Sequence, residues 1–140
     1  MSIGIDKMNN PYIIELPKIM DSRGNLSFIE QERHIPFSIA RSYWVYDVPG
    51  GCSRGGHAFR ANEECIIALS GSFDIVLTNA KGEEKKWHMN RSYYGLYIPN
   101  GWWRQLDNFS TNSLALVLAS KPYSPDDYIR DFDLFRKEGI

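Results

Sequence analysis

Short runs of alternating apolar and polar residues recur along the whole chain, each closed by a cluster of Gly, Pro, Asn or Asp. This pattern constrains the fold more than anything else in the sequence, because side chains two apart share one face of a strand. The runs are Tyr12–Leu16, Leu26–Glu30, Ile39–Val48, Glu64–Ser70, Phe73–Thr78, Lys85–Met89, Tyr93–Ile98, Trp102–Leu106 and Leu114–Ala119. The breakers between them include Asp21-Ser22-Arg23-Gly24-Asn25, Pro49-Gly50-Gly51, Ser70-Gly71-Ser72 and Asn79-Ala80-Lys81-Gly82. Runs of this length and number predict two sheets curled into an all-β jelly roll. The period changes at the end of the chain. Ser124 reads as a cap, Pro125 as a first helical position, and Asp126 and Asp127 as first-turn acids. Ile129, Phe132 and Phe135 then recur at helical spacing, ahead of Arg136, Lys137 and Gly139, which predicts one amphipathic C-terminal helix.

The chain has 140 residues, 43% of them hydrophobic and 14% aromatic, enough for one domain over 1–140 with a sizeable core. A net charge of −1 argues against nucleic acid as the main partner. No apolar run approaches the roughly 18 residues of a membrane-spanning helix, so no membrane is expected. The first residues lack the charged-then-apolar order of a signal peptide. With only two cysteines, Cys52 and Cys65, the chain reads as a reduced, cytoplasmic protein.

Two motifs carry the chemistry. The first runs Gly51, five residues, His57, one residue, Phe59, four residues, Glu64, six residues, Gly71. The second is Pro99-Asn100-Gly101, two residues, Arg104, three residues, Asn108. Both resemble the paired motifs of the cupin barrels, so the fold expected is a cupin-type jelly-roll barrel with a C-terminal amphipathic helix. A metal-binding member draws its ligands from the positions of His57, Phe59, Glu64 and Arg104. Phenylalanine has no lone pair and arginine stays protonated, so one imidazole and one carboxylate remain, and no metal is expected. That leaves acid–base chemistry or binding. His57 is the proton carrier to expect, because imidazole titrates near neutrality. Arg41 and Tyr43 share a strand face and suit a phosphate or a sugar hydroxyl. Arg54, in a Gly-rich loop, is free to meet an anion. Tyr97, Trp102 and Trp103 offer stacking faces, and a carboxylate from Glu63 or Glu64 depends on register.

Larger blocks are similar to the dTDP-4-keto-6-deoxyglucose 3,4-ketoisomerases. They are Asp21-Ser22-Arg23-Gly24-Asn25-Leu26, Ile35-Pro36-Phe37-Ser38-Ile39, Arg41-Ser42-Tyr43, Arg54-Gly55-Gly56-His57-Ala58, Gly95-Leu96-Tyr97, Leu118-Ala119-Ser120 and Asp127-Tyr128-Ile129-Arg130-Asp131-Phe132. The resemblance implies a cofactor-free homodimer with exchanged N-terminal strands and a dTDP-linked 4-keto-6-deoxyhexose as substrate. Taken with the residue chemistry above, the catalytic residues expected are His57, Tyr43 and Arg104, and the substrate contacts expected are Arg41, Arg54, Phe59, Tyr97 and Trp103. The family's strand has histidine at the positions of both His57 and Phe59, and the family usually has histidine at the position of Arg104. The alternative is therefore a dTDP-sugar-binding cupin that has lost turnover.

Overall fold

A computed structural model describes residues 9–139. Its strands are β1 (Tyr12–Glu15), β2 (Lys18–Asp21), β3 (Gly24–Ser27), β4 (Arg41–Tyr46), β5 (Arg54–Phe59) and β6 (Glu64–Ser70). They continue as β7 (Phe73–Thr78), β8 (Glu84–Met89), β9 (Tyr94–Ile98), β10 (Trp103–Asp107), β11 (Leu114–Ala119) and β12 (Tyr128–Ile129). One α-helix, α1 (Phe132–Glu138), follows. One five-stranded sheet has the order β1-β9-β6-β11-β4 and the other β12-β5-β10-β7-β8, while among the described residues β2 and β3 pair only with each other. This is the jelly roll expected from the alternating runs.

The alternation shows directly in what each strand buries. In β7, Phe73, Ile75 and Leu77 are fully buried between the sheets, where they meet Ile66, Leu96, Leu106 and Val117. In β4, Arg41, Tyr43 and Val45 are half-buried while Ser42, Trp44 and Tyr46 are exposed. Strand β6 is buried on both faces. Its other side, with Cys65 and Ile67, packs under Ile14, Leu16, Ile35, Phe37 and Tyr97. Burial pushes the Cys65 thiol up to about 12, so it behaves as a small apolar residue. Gly71 turns β6 into β7 at φ +67, with the space for a Cβ already filled by Ser110 and Ser113.

The C-terminal segment differs from the sequence expectation. Ser124 is extended and makes no side-chain cap, and Pro125–Asp127 form a single 3-10 turn. Tyr128 and Ile129 then add to the sheet edge opposite Phe59 and Ala58. The Asp127 carboxylate accepts the backbone N–H groups of Ala61 (2.7 Å) and Asn62 (3.1 Å), which pins the chain in this extended path. The helix starts only at Phe132, where Asp131 caps it by accepting from the Leu134 amide at 3.0 Å. Tertiary pairing outweighs the acid-rich helix-start signal because β12 satisfies an otherwise open edge of β5. Phe135 is buried with Ala58, Trp103 and Ile129, which fixes α1 to the outer face of the second sheet. None of the helices among the described residues is long and apolar enough to cross a membrane.

Candidate active site

The site begins with an irregularity in β5. Arg104 lies opposite His57 and Leu106 lies opposite Arg54, so three steps on β5 match two on β10. This is a β-bulge, and Gly55 supplies it with φ +75. The extra residue lets Arg54 and His57 face the same cavity despite their odd spacing. Arg54 is therefore the first residue of β5 and not part of the loop before it. Gly55 serves a second purpose: a Cβ there would stand 2.5 Å from Arg104 Nη1. Gly55→Ala is expected to lose about 1–3 kcal/mol through left-handed strain and displacement of the Arg104 guanidinium. Urea unfolding measures the loss, and wild-type stability would refute the close-approach argument.

The cavity has a volume of about 480 Å³ and is lined by Arg41, Tyr43, Arg54, His57, Arg104, Tyr128 and Arg130, with Val45, Ser53, Gly55 and Leu106. Four guanidinium groups thus converge on one pocket. The compensating carboxylate lies behind its wall. Glu64 is 1% exposed and accepts from Arg104 Nε at 2.5 Å. The Tyr43 hydroxyl donates to the other Glu64 oxygen and accepts from Arg104 Nη2 at 2.7 Å. Burial, and then the Glu64 charge against the opposing pull of Arg104, holds the Tyr43 phenol well above its usual range. Arg104 is costly to bury, and the Glu64 and Tyr43 contacts more than offset this, so it stays cationic.

His57 is buried, and its Nε2 has no hydrogen-bond partner. Its ring packs edge-on against Phe59 at 4.8 Å and at a tilt against Tyr128 at 4.9 Å. Burial, followed by the charges of Arg104, Arg130 and Arg41, pushes its pKa down to about 3. The imidazole is therefore neutral at pH 7. In an unfolded chain it takes up a proton near pH 6.5. Between these values the unfolded state binds more protons, so stability falls as pH drops from about 6.5 towards 3. His57→Asn is expected to flatten that slope by at most about 1.4 kcal/mol per pH unit. Denaturation across this range measures it, and parallel slopes for variant and wild type would refute the buried neutral imidazole.

The structure separates the remaining residues that the sequence singled out. Phe59 is 4% exposed and forms the packing floor under His57 and Tyr128. Tyr97 does not line this cavity: it faces the other side of the first sheet, packs on Tyr12 and Phe37, and donates its hydroxyl to Glu63. Trp103 does not line it either. Its neighbour Arg104 points inward, so Trp103 points outward, against Phe132 and Phe135 of α1. Tyr128 and Arg130 are cavity residues that the helical reading of the tail concealed; read as a strand, the two share a face. Arg41 Nη2 donates to the Tyr128 hydroxyl at 3.3 Å, and Arg130 stacks on the Tyr128 ring at 4.3 Å. Among the described residues no three His, Cys, Asp or Glu side chains form a group able to hold a metal ion.

The model of the family described as FdtA: WxcM-like, C-terminal, matches residues 9–139. The chain belongs to this family. It is 37% identical over 125 residues to the TDP-4-oxo-6-deoxy-alpha-D-glucose-3,4-oxoisomerase of Aneurinibacillus thermoaerophilus, covering 89% of each chain. A histidine-to-asparagine variant of a 3,4-ketoisomerase from Thermoanaerobacterium thermosaccharolyticum, in complex with TDP-4-keto-6-deoxyglucose, superposes with a TM-score of 0.90. That pair is 35% identical and covers 93% of this chain and 94% of the other. The TDP-quinovose 3,4-ketoisomerase of Campylobacter jejuni gives a TM-score of 0.86 at 40% identity, over 91% and 98% of the two chains. The resemblance read from the sequence blocks is borne out, and so is the cupin-type barrel.

Proposed function

We propose that this protein moves the carbonyl of a TDP-linked 4-keto-6-deoxyhexose from C4 to C3. The observation that carries the proposal is the cavity itself, where an imidazole with no partner at Nε2 lines a pocket walled by four arginines. Arg41, Arg54 and Arg130 suit the diphosphate, whose oxygens accept paired guanidinium N–H groups. Arg104 and Tyr43 suit the sugar oxygens. Phe59 shapes the pocket from beneath His57.

The chemistry then follows from acidity. The C4 ketone acidifies the C3 proton, and His57 Nε2 removes it. The electron pair moves into a C3–C4 double bond while the carbonyl oxygen becomes an oxyanion, stabilised by the fixed Arg104 charge. A proton returned to C4, with loss of the O3 proton and gain of one at O4, leaves a ketone at C3 and a hydroxyl at C4. Atoms and electrons balance without an oxidant, so no cofactor is required. A base at pKa 3 is weak, and the ligand corrects this: the bound diphosphate neutralises the arginine field that depresses His57. Histidine NMR titration should therefore find His57 higher in the TDP complex than in free protein.

The test is incubation with TDP-4-keto-6-deoxyglucose in D₂O, followed by NMR. Deuterium at C3 or C4 and appearance of a 3-keto sugar are expected. Binding without exchange would sink the proposal in favour of a sugar-nucleotide binder.

The protein acts, in this proposal, as a homodimer with exchanged N-terminal strands. Among the described residues the hairpin β2–β3 pairs with no other strand, and its Ile19, Met20 and Leu26 are more than half exposed. Beside it lies a groove of about 930 Å³ on the outer face of the first sheet, lined by Leu16, Ile39, Ile67 and Leu118 among others. That groove is larger than the His57 cavity, but the described residues lining it include no imidazole or carboxylate, so it suits a second chain and not the chemistry. Sedimentation should return twice the 16.1 kDa chain mass; a monomer would refute the exchange. A cytoplasmic location fits the free thiols Cys52 and Cys65 and a nucleotide-sugar substrate.

A further inference from the structure

Glu64 has no contact with the cavity, yet it touches both polar groups of the cavity wall that face the proposed sugar. Its carboxylate is shared between Arg104 Nε and the Tyr43 hydroxyl, and Arg104 Nη2 closes the triangle by donating to that hydroxyl. Every hydrogen-bonding direction in the triangle is thereby fixed. The Tyr43 proton points back to Glu64, and Arg104 Nη1 is left over, lying in the space that Gly55 keeps free of a side chain. The arrangement buries a charge pair with 4% and 1% side-chain exposure. Such pairs are a poor source of stability, because desolvation cancels much of the attraction. What this pair secures is orientation.

We infer that Glu64 is a positioning residue for the isomerisation, acting through Tyr43 and Arg104 and never on the sugar itself. The inference rests on the ketoisomerase reading. Removing the carboxylate charge while keeping the side-chain shape frees the phenol proton and lets the guanidinium swing. The oxyanion then meets a donor that must first be oriented, so turnover suffers more than binding. The nucleotide is held by other groups, Arg41, Arg54 and Arg130, and its affinity is unaffected.

The experiment compares Glu64→Gln and Glu64→Asp with the wild-type enzyme. In Glu64→Gln, kcat is expected to fall about 10- to 100-fold, as for other residues that orient catalytic groups, with TDP affinity unchanged within about threefold. Glu64→Asp keeps the charge on a shorter arm and restores part of kcat. A second readout does not need the substrate. The Tyr43 phenol is faced by Glu64 from β6, Arg104 from β10, His57 and Arg54 from β5, Arg41 on its own strand, and Tyr128 and Arg130 at the β12 edge. Loss of the only negative charge in that set leaves arginines to favour the phenolate. Ultraviolet titration of tyrosinate, with Tyr43→Phe to assign the signal, should show the phenol ionising at lower pH in Glu64→Gln than in wild type. Full kcat in folded Glu64→Gln, loss only in proportion to unfolded protein, or an unmoved phenol would each overturn the inference. Failure of both variants to fold would overturn it too, in favour of a carboxylate needed for folding alone. A wild-type protein without exchange at C3 or C4 would instead defeat the ketoisomerase reading, and the phenol titration would still report on the triangle.

Discussion

His57→Asn should lower turnover on TDP-4-keto-6-deoxyglucose by about 10²- to 10⁴-fold while TDP binding changes little. The size follows from what the cavity contains. The proposed reaction breaks a C–H bond at one carbon and makes another at its neighbour, and both steps need a group that gives and takes protons near neutral pH. A guanidinium group has no acceptor lone pair to offer, so the arginines of the wall supply no base. The Tyr43 phenol is held above its normal range, and Glu64 is occupied by Arg104 and Tyr43. His57 Nε2 and Arg41 Nε are the buried, unpartnered side-chain atoms described in this wall, and of the two only the imidazole nitrogen can take up a proton. Asparagine keeps a polar side chain of similar reach but cannot accept a proton at useful pH. Binding is expected to survive because, in the proposed complex, the arginines and not the imidazole meet the diphosphate. Kinetics with TDP affinity measured in parallel decides the matter. A variant within about tenfold of wild type would mean that another group carries the carbon proton.

Much of this was readable from residues. The alternation of Phe73, Ile75 and Leu77 against Asp74, Val76 and Thr78 is a strand signal that nothing competes with, and β6, β7 and β11 appear where the pattern places them. The spacing of His57 and Phe59 put both on one face, and their rings do meet. The failures share a physical cause. Tyr97 and Trp103 are aromatic, and aromatic character says nothing about which face of a strand a residue occupies; each lies one position from a residue that points the other way. The Pro125-Asp126-Asp127 helix-start signal is local, whereas the pairing of Tyr128 with Phe59 spans the chain, and no local signal reports it. The bulge was signalled by Gly55-Gly56 within a strand, a pair that commonly marks a break in register. Only the pairing with Arg104 and Leu106 shows that it turns Arg54 inward. Glu64 stayed ambiguous against Glu63 for the reason that register is a two-state choice. β6 resolves it by pairing Glu64 with Ile98 and Ala119, which turns the next residues, Cys65 and Ile67, to the other face.

Glu64→Leu should destabilise the fold by about 3–5 kcal/mol, because it leaves the Arg104 guanidinium buried without a counter-charge. That is a large part of the ~5–15 kcal/mol that holds a domain of this size together. The cause can be separated from simple loss of packing. Leucine fills much of the volume vacated by glutamate, so a cavity term contributes little. If the uncompensated charge is responsible, adding Arg104→Leu and Tyr43→Phe to the same chain should recover most of the loss, since no polar group of the triangle then remains buried. Urea denaturation of wild type, single and triple variants reads this directly. A triple variant as unstable as the single one would show that the carboxylate supports the barrel in some other way. The triple variant also separates the two reasons for keeping a buried charge pair. An apolar triangle that folds as well as the native one but exchanges no deuterium at C3 or C4 places the value of Glu64, Tyr43 and Arg104 in the chemistry of the cavity, since the fold would then do without them.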